Sequence, residues 1–259
     1  MNHRKPFCYA HLYGNVGITK TYFGKKILLN TQNIHTYNII DNGVIEKPIC
    51  KIMEDNIKEG DVFIDVGANI GFLTLLGCHL TGTSGHVYSF EANPEVFKLL
   101  EENIIINSLR NNTSLFNKAA YHKKGKVKFT WNTHRDGSGR IVTKVQSGLA
   151  QHHCEVDTTT LDSVFSGMRV DFVKIDTEGS EPHVLEGMKN IIQANNEIKI
   201  IFEWNTKHIR KRDASPEKAA EFLFSNFKHI NRIVKVDELQ TLTKETLLSL
   251  PHSNIYAYN

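Results

Sequence analysis

The sequence predicts an α/β fold, a mostly parallel sheet with helices on both faces. Three observations point to it. Short apolar runs rich in β-branched residues alternate with stretches of helical periodicity, the pattern of right-handed βαβ units. The first of those runs, Val62-Phe63-Ile64-Asp65-Val66, feeds into glycines at 67 and 71. Further acids, Glu91, Asp176 and Glu203, close later runs, which is where open α/β sheets bind ligands.

Residues 1–42 read as strand-rich, with runs such as Lys26-Ile27-Leu28-Leu29 between polar turns. Residues 44–59 read as a helix with Ile45, Ile49, Ile52, Met53 and Ile57 at helical spacing. After the 62–66 strand comes a helix from 72 to about 80. A strand over 86–91 follows, then a helix opened by Asn93 as N-cap and Pro94 at its first position. Residues 114–120 read as a third core strand and 127–131 as an added one. Residues 170–176 and 198–203 supply the fourth and fifth, joined by a crossover helix over 182–194. Ser215-Pro216 opens a further amphipathic helix, and two last strands lie near 232–236 and 254–258. The chain divides into an N-terminal extension over 1–43 and a main domain over 44–259. Within the latter, residues 130–155 turn polar and glycine-rich, with Asp136-Gly137-Ser138-Gly139, Ser147-Gly148 and a His152-His153 pair. A long segment of weak periodicity reads as a lid or substrate loop.

A formal charge of +3 over 259 residues is too weak to imply nucleic acid by itself. The basic clusters at Lys123, Lys124, Lys126 and Lys128 and at Arg210, Lys211 and Arg212 read as solvated faces. Cys8, Cys50, Cys78 and Cys154 form no C-x-x-C pair, which fits reduced thiols in the cytoplasm. No apolar run reaches the ~20 residues that span a bilayer, and no apolar leader follows the basic start at 1–6.

The glycine turn carries most of the functional information. Glycines let a ligand approach backbone N–H groups at a helix N-terminus. A dinucleotide site usually shows G-x-G-x-x-G; here the spacing is D-x-G-x-N-x-G, with Asp65 ahead of Gly67. An acid there repels a pyrophosphate and welcomes an ammonium or hydroxyl group, which favours S-adenosylmethionine. Glu91 follows the turn near the ~20-residue distance at which an acid binds ribose hydroxyls. Beyond Asp176, Glu178 and Glu181 bring three carboxylates into six residues. Such crowding suits a base with raised pKa, a metal site or a grip on sugar hydroxyls. Glu181 reads as a first-turn helix acid, Asp176 and Glu178 as functional.

The segments Phe63-Ile64-Asp65-Val66-Gly67-Ala68-Asn69-Ile70-Gly71, Phe90-Glu91-Ala92-Asn93-Pro94 and Val173-Lys174-Ile175-Asp176-Thr177-Glu178-Gly179-Ser180-Glu181 resemble the FkbM-type methyltransferases in order and spacing. Thr159-Thr160-Leu161-Asp162 resembles them too, so the likeness covers roughly 20–205. The resemblance implies a Rossmann-like class I methyltransferase fold, a seven-stranded sheet whose last strand is antiparallel, and S-adenosylmethionine-dependent O-methyl transfer. Carried over by position, Asp65, Gly67, Ala68, Asn69, Gly71 and Phe72 shape the methionine pocket. Glu91 and Ala92 meet the ribose, and Asn117 to Ala119 the adenine. Position 92 is Ala where the family often has Pro.

Asp176, Glu178 and Glu203 are the catalytic candidates, with His183 and His208 as weaker bases. A divalent ion such as Mg²⁺ held by Asp176, Glu203 and Asn205 is the less favoured version. The acceptor class is a small molecule, sugar or glycan. A nucleic-acid methyltransferase is the rival within the enzymes, and a S-adenosylmethionine-binding interaction module without catalysis the rival outside them.

Overall fold

The computed structural model describes residues 9–32, 36–132, 135–142 and 151–259. Cys8, residues 1–6 and Ser147-Gly148 lie outside them. Strands β1 (Ala10–Tyr13), β2 (Val16–Lys20) and β3 (Lys26–Asn30) form an antiparallel sheet. Helices α1 (Thr36–Asn42) and α2 (Lys47–Asn56) lead to β4 (Val62–Val66), α3 (Phe72–Thr81), β5 (His86–Phe90), α4 (Pro94–Ile106) and β6 (Thr113–Phe116). A second antiparallel group holds β7 (Ala119–Ala120), β8 (Gly125–Asn132), β9 (Arg135–Val142) and β10 (Gln151–Thr159). The chain continues through α5 (Leu161–Val164), β11 (Phe172–Ile175), α6 (Glu181–Glu186), α7 (Lys189–Ala194), β12 (Lys199–Asn205) and α8 (Thr206–Lys211). It closes with α9 (Pro216–Asn226), β13 (His229–Lys235), β14 (Glu238–Thr241), α10 (Lys244–Ser249) and β15 (His252–Tyr258).

The central sheet has the order β14-β13-β15-β12-β11-β4-β5-β6. Strands β6, β5, β4, β11 and β12 run parallel, and β15 pairs antiparallel with both β12 and β13. The order therefore reverses between β4 and β11, which opens a crevice at their carboxyl ends. Two apolar layers hold the sheet. One gathers Phe165, Phe202, Trp204 and the inward faces of α6, α7 and α9; the other gathers α2, α3 and α4.

The N-terminal strands share that second layer, because Ile27 and Leu29 are fully buried in it. Asn103 on α4 fixes the join. Its Oδ1 accepts the Leu28 N–H at 2.6 Å, and its Nδ2 donates to the carbonyls of Leu28 at 3.0 Å and Ile70 at 2.8 Å. One buried amide thus ties β3 to the glycine turn.

Four differences from the sequence reading have local causes. The sheet contains eight strands among the described residues where seven are expected. The addition, β14, is exposed along its length, so no apolar alternation marks it. Residues 36–42, read as part of a strand-rich region, form α1. The crossover helix breaks into α6 and α7 at Gly187-Met188, where a Cβ on Gly187 would lie 2.1 Å from the Tyr121 carbonyl oxygen. Residues 130–155, read as a loop, hold the end of β8, all of β9 and the start of β10, which pairs with β8 from Gln151↔Asn132 to Thr158↔Gly125. Their polar, half-exposed strands need no continuous apolar pattern.

Candidate active site

The turn after β4 is shaped by two close approaches. Gly67 has φ 76°, and a Cβ there would sit 1.8 Å from the Asp176 carbonyl oxygen. Gly71 has φ 89°, and its Cβ would meet Leu100 at 2.5 Å. Both positions demand glycine, since left-handed backbone and contact exclude a side chain together. Between them Asn69 also adopts a left-handed conformation, φ 52°. The Gly67 contact is what brings the end of β4 against the end of β11.

Glu91 lies across this turn from the end of β5. Its Oε2 accepts the Asn69 N–H at 2.8 Å and its Oε1 the Asn93 N–H at 2.7 Å. Burial pushes its carboxyl up to about 7, although those two N–H groups favour the anion. Asn93 caps α4 by accepting the Glu95 N–H, as its place before Pro94 predicts. Asn117 donates from Nδ2 to the Glu91 carbonyl at 2.8 Å and so fixes the chain leading to Lys118, Ala119 and Ala120.

These elements enclose a cavity of about 340 Å³. Of the sequence-derived cofactor residues, Gly67, Ala68, Asn69, Phe72, Glu91, Ala92 and Ala119 line it. Asp65 lies beneath the turn instead: fully buried, it accepts from the Thr74 hydroxyl at 2.7 Å and is absent from the lining. Burial raises its carboxyl above the usual range. Gly71 and Asn117 act on the wall from behind it. Phe129 on β8 and Ile141 on β9 close one side, so the small sheet does form part of the rim.

The opposite end is acidic. Asp176, Thr177 and Glu178 line the cavity. Glu181 braces the turn from inside, its Oε1 accepting from the Thr177 N–H at 2.7 Å, the Thr177 hydroxyl at 3.0 Å and the Gly179 N–H at 3.2 Å. That matches its reading as a first-turn acid. Glu203 on β12 stands behind that lining with its Oε1 2.8 Å from His252 Nε2, and Glu178 faces His208 Nδ1 at 3.4 Å. Burial, with repulsion from neighbouring carboxylates, pushes Glu178 and Glu203 up to about 8 and Glu181 up to about 7. One oxygen each of Asp176, Glu181 and Glu203 lie within 4.8 Å of one another, the donor set that could hold a divalent cation. Asn205 is not part of it, because its Oδ1 caps α8 on the His208 N–H at 3.0 Å. His183 lies apart from this cluster, bonded through Nε2 to the Arg212 carbonyl at 3.0 Å and in tilted ring contact with Tyr121 and His122.

Sequence reasoning passed over two residues. Lys174, buried in β11, places Nζ 3.3 Å from the Gly67 carbonyl oxygen, 3.6 Å from Asp176 and 3.9 Å from Asp65. Burial alone would lower its ammonium, but Asp176, Asp65, Glu46 and Glu91 together hold it above the usual range. A cation inside the apolar run 172–175 was the available signal. Glu46, which precedes α2, also lines the cavity; no motif marks it.

The sequence matches the methyltransferase FkbM domain over residues 65–236, well over half of the chain, and the chain belongs to that family. It is similar to the hexuronic acid methyltransferase AglP of Haloferax volcanii, with 27% identity over 160 residues. The aligned part covers 58% of this chain and 59% of the relative, so the chain spans less than two thirds of that protein's length. A candidate rRNA-methylase of Clostridium thermocellum superposes with a TM-score of 0.50 at 11% identity, over 83% of this chain and 98% of that one. A S-adenosylmethionine-dependent O-methyltransferase of Thermotoga maritima gives 0.47 at 16% identity, over 93% and 77%. The fold is the Rossmann-like fold of class I methyltransferases.

Proposed function

We propose that this protein transfers a methyl group from S-adenosylmethionine to a hydroxyl of a sugar, with an acidic sugar of the hexuronic type as the first acceptor class to test. The observation that carries the reading is one cavity with two unlike ends. A glycine turn organised by Glu91 forms one, and Asp176 and Glu178, crowded from behind by Glu181 and Glu203, form the other. The acceptor class follows the name of the Haloferax relative.

The residues present fit the cofactor. A Cβ at Gly67 or Gly71 would close the turn, and Glu91 faces the cavity with lone pairs to spare for ribose hydroxyls. S-adenosylmethionine, when bound, supplies a methyl carbon activated by a sulfonium. The chain aligns the acceptor, excludes water and takes the proton of the acceptor hydroxyl. We assign that proton to Glu178, which lines the cavity and whose carboxyl lies close to neutrality, about 8. Asp176 and Glu203 crowd it and keep it basic; neither needs a metal ion for that. Cytoplasmic residence belongs to the same reading and is supported by the free thiols of Cys50, Cys78 and Cys154.

The test is methyl transfer from labelled S-adenosylmethionine to a glucuronate-type glycan and to its neutral hexose counterpart. Transfer to the acidic glycan, with Glu178→Gln slower by about a hundredfold or more, supports the reading. Transfer to neither sugar, or an unaffected Glu178→Gln, contradicts it.

A further inference from the structure

Four carboxylates line the cavity, those of Glu46, Glu91, Asp176 and Glu178. Three have partners in the protein. Glu91 is bonded at both oxygens, Asp176 lies 3.6 Å from the Lys174 ammonium, and Glu178 lies 3.4 Å from His208. Glu46 differs. Among the described residues its carboxylate makes no hydrogen bond, ion pair or helix cap. Its backbone is held in the left-handed region, φ 49° and ψ 44°, a conformation that residues with a side chain rarely adopt. The residue is half-buried, so the carboxylate has given up part of its hydration without a protein donor in return.

Asp65, the acid that the sequence assigns to the methionine end, cannot supply that contact directly. It is fully buried and does not line the cavity; its Oδ2 accepts from Thr74, and its Oδ1 makes no hydrogen bond but lies 3.9 Å from the Lys174 ammonium. The charged groups acting on Glu46 are Lys174, Asp176 and Asp65; Lys174 and Asp65 sit under the glycine turn, and Asp176 stands at the neighbouring strand end. Glu46 therefore faces the same end of the cavity as the turn, opposite in sign to Lys174. A bound amino-acid zwitterion needs both signs there.

We infer that Glu46 receives the α-ammonium of the cofactor's amino-acid tail. It comes from the segment 36–46, which supplies Thr36, Asn38, Ile39 and Ile45 to the wall as well and lies outside the family match at 65–236. The N-terminal part of the chain is then a component of the cofactor site. This inference rests on the cofactor reading above.

The experiment is calorimetric titration of wild type and Glu46→Gln with S-adenosylhomocysteine and with its deaminated analogue, which keeps the carboxylate. A hydrogen bond between charged partners amounts to about a tenfold to hundredfold change in affinity. Wild type should prefer S-adenosylhomocysteine by that factor, and Glu46→Gln should lose the preference while binding the deaminated analogue as before. The preference should also weaken in wild type below pH 7, where burial keeps Glu46 protonated up to about 7, and stay flat in the variant. An unchanged preference in Glu46→Gln overturns the inference and leaves the cofactor reading standing. Equal loss of both ligands overturns it too, since it marks a structural role. Binding of neither ligand to wild type overturns the cofactor reading and this inference together.

Discussion

On the cavity wall at the glycine-turn end both oxygens of Glu91 accept backbone N–H groups, with Asp65 Oδ1 left unbonded beneath the turn, whereas at the β11 end Glu181 and Glu203 each keep a buried oxygen without a hydrogen bond. The turn end is pinned by glycines that admit no side chain, while the other end is a crowd of acids on three elements, the β11 turn, α6 and β12. A cradle that must recognise the same cofactor in every cycle gains from fixed donors. A site that must accept a proton needs lone pairs left open and a carboxyl that titrates near neutrality. The unsatisfied oxygens carry a stability cost of about 1–3 kcal/mol each in general terms, the pattern expected where function overrides packing.

The largest effect should come from the one residue that joins the two ends. Gly67→Ala places a methyl group 1.8 Å from the Asp176 carbonyl oxygen in a left-handed backbone, and about 3 kcal/mol or more of stability should be lost. A melting curve reads this directly; an unchanged midpoint would mean that β4 and β11 meet less closely than described.

Glu178→Gln should separate the ends instead. Turnover should fall by about a hundredfold with affinity for S-adenosylhomocysteine unchanged. A parallel loss of affinity would assign Glu178 to the cradle and erase the contrast.

The pH dependence sharpens it further. Glu91 and Glu181 at about 7, and Glu178 and Glu203 at about 8, all stand above the unfolded glutamate value of ~4.5. The folded protein thus binds more protons than the unfolded chain between pH ~4.5 and ~8. Its stability is fullest at the acidic side of that window and falls as pH rises through 7 and 8. Turnover should rise over the upper part of the same range as Glu178 ionises. Melting points at pH 6 and 8.5 beside a pH–rate profile test the opposition, and a midpoint that climbs with pH contradicts it.

The smallest effect concerns the support. Asn103→Ala removes three bonds that tie β3 and the turn to α4, at about 1–3 kcal/mol from the groups left unpaired. Cofactor affinity should drop only modestly, as a shift in titration midpoint would record.

What was legible in the sequence was local. The turn 67–71, Glu91 after its strand and the acids at 176 and 178 are fixed by spacing along single βα units, and the structure places them around one cavity. The roles that sequence could not supply depend on distant segments. Lys174 was visible as a cation in an apolar strand, yet its hub position needs Gly67 and Asp65 from the neighbouring strand. Glu46 reaches the cavity because β3 packs on α4 and α2 packs on α3. Asp65 shows the converse: its position in the motif suggests a ligand contact, while the fold buries it beneath the turn, where Thr74 in the first turn of α3 donates to one of its oxygens. Strands β9 and β10 were illegible since tertiary pairing, rather than apolar alternation, holds them in place.

The most direct measurement is titration of wild type, Glu91→Gln and Glu178→Gln with S-adenosylhomocysteine under one buffer. Wild type and Glu178→Gln should bind with equal affinity, and Glu91→Gln should lose about tenfold or more. Absence of binding by wild type, or equal affinity for all three proteins, would contradict the division of the cavity into a cofactor end and an acceptor end.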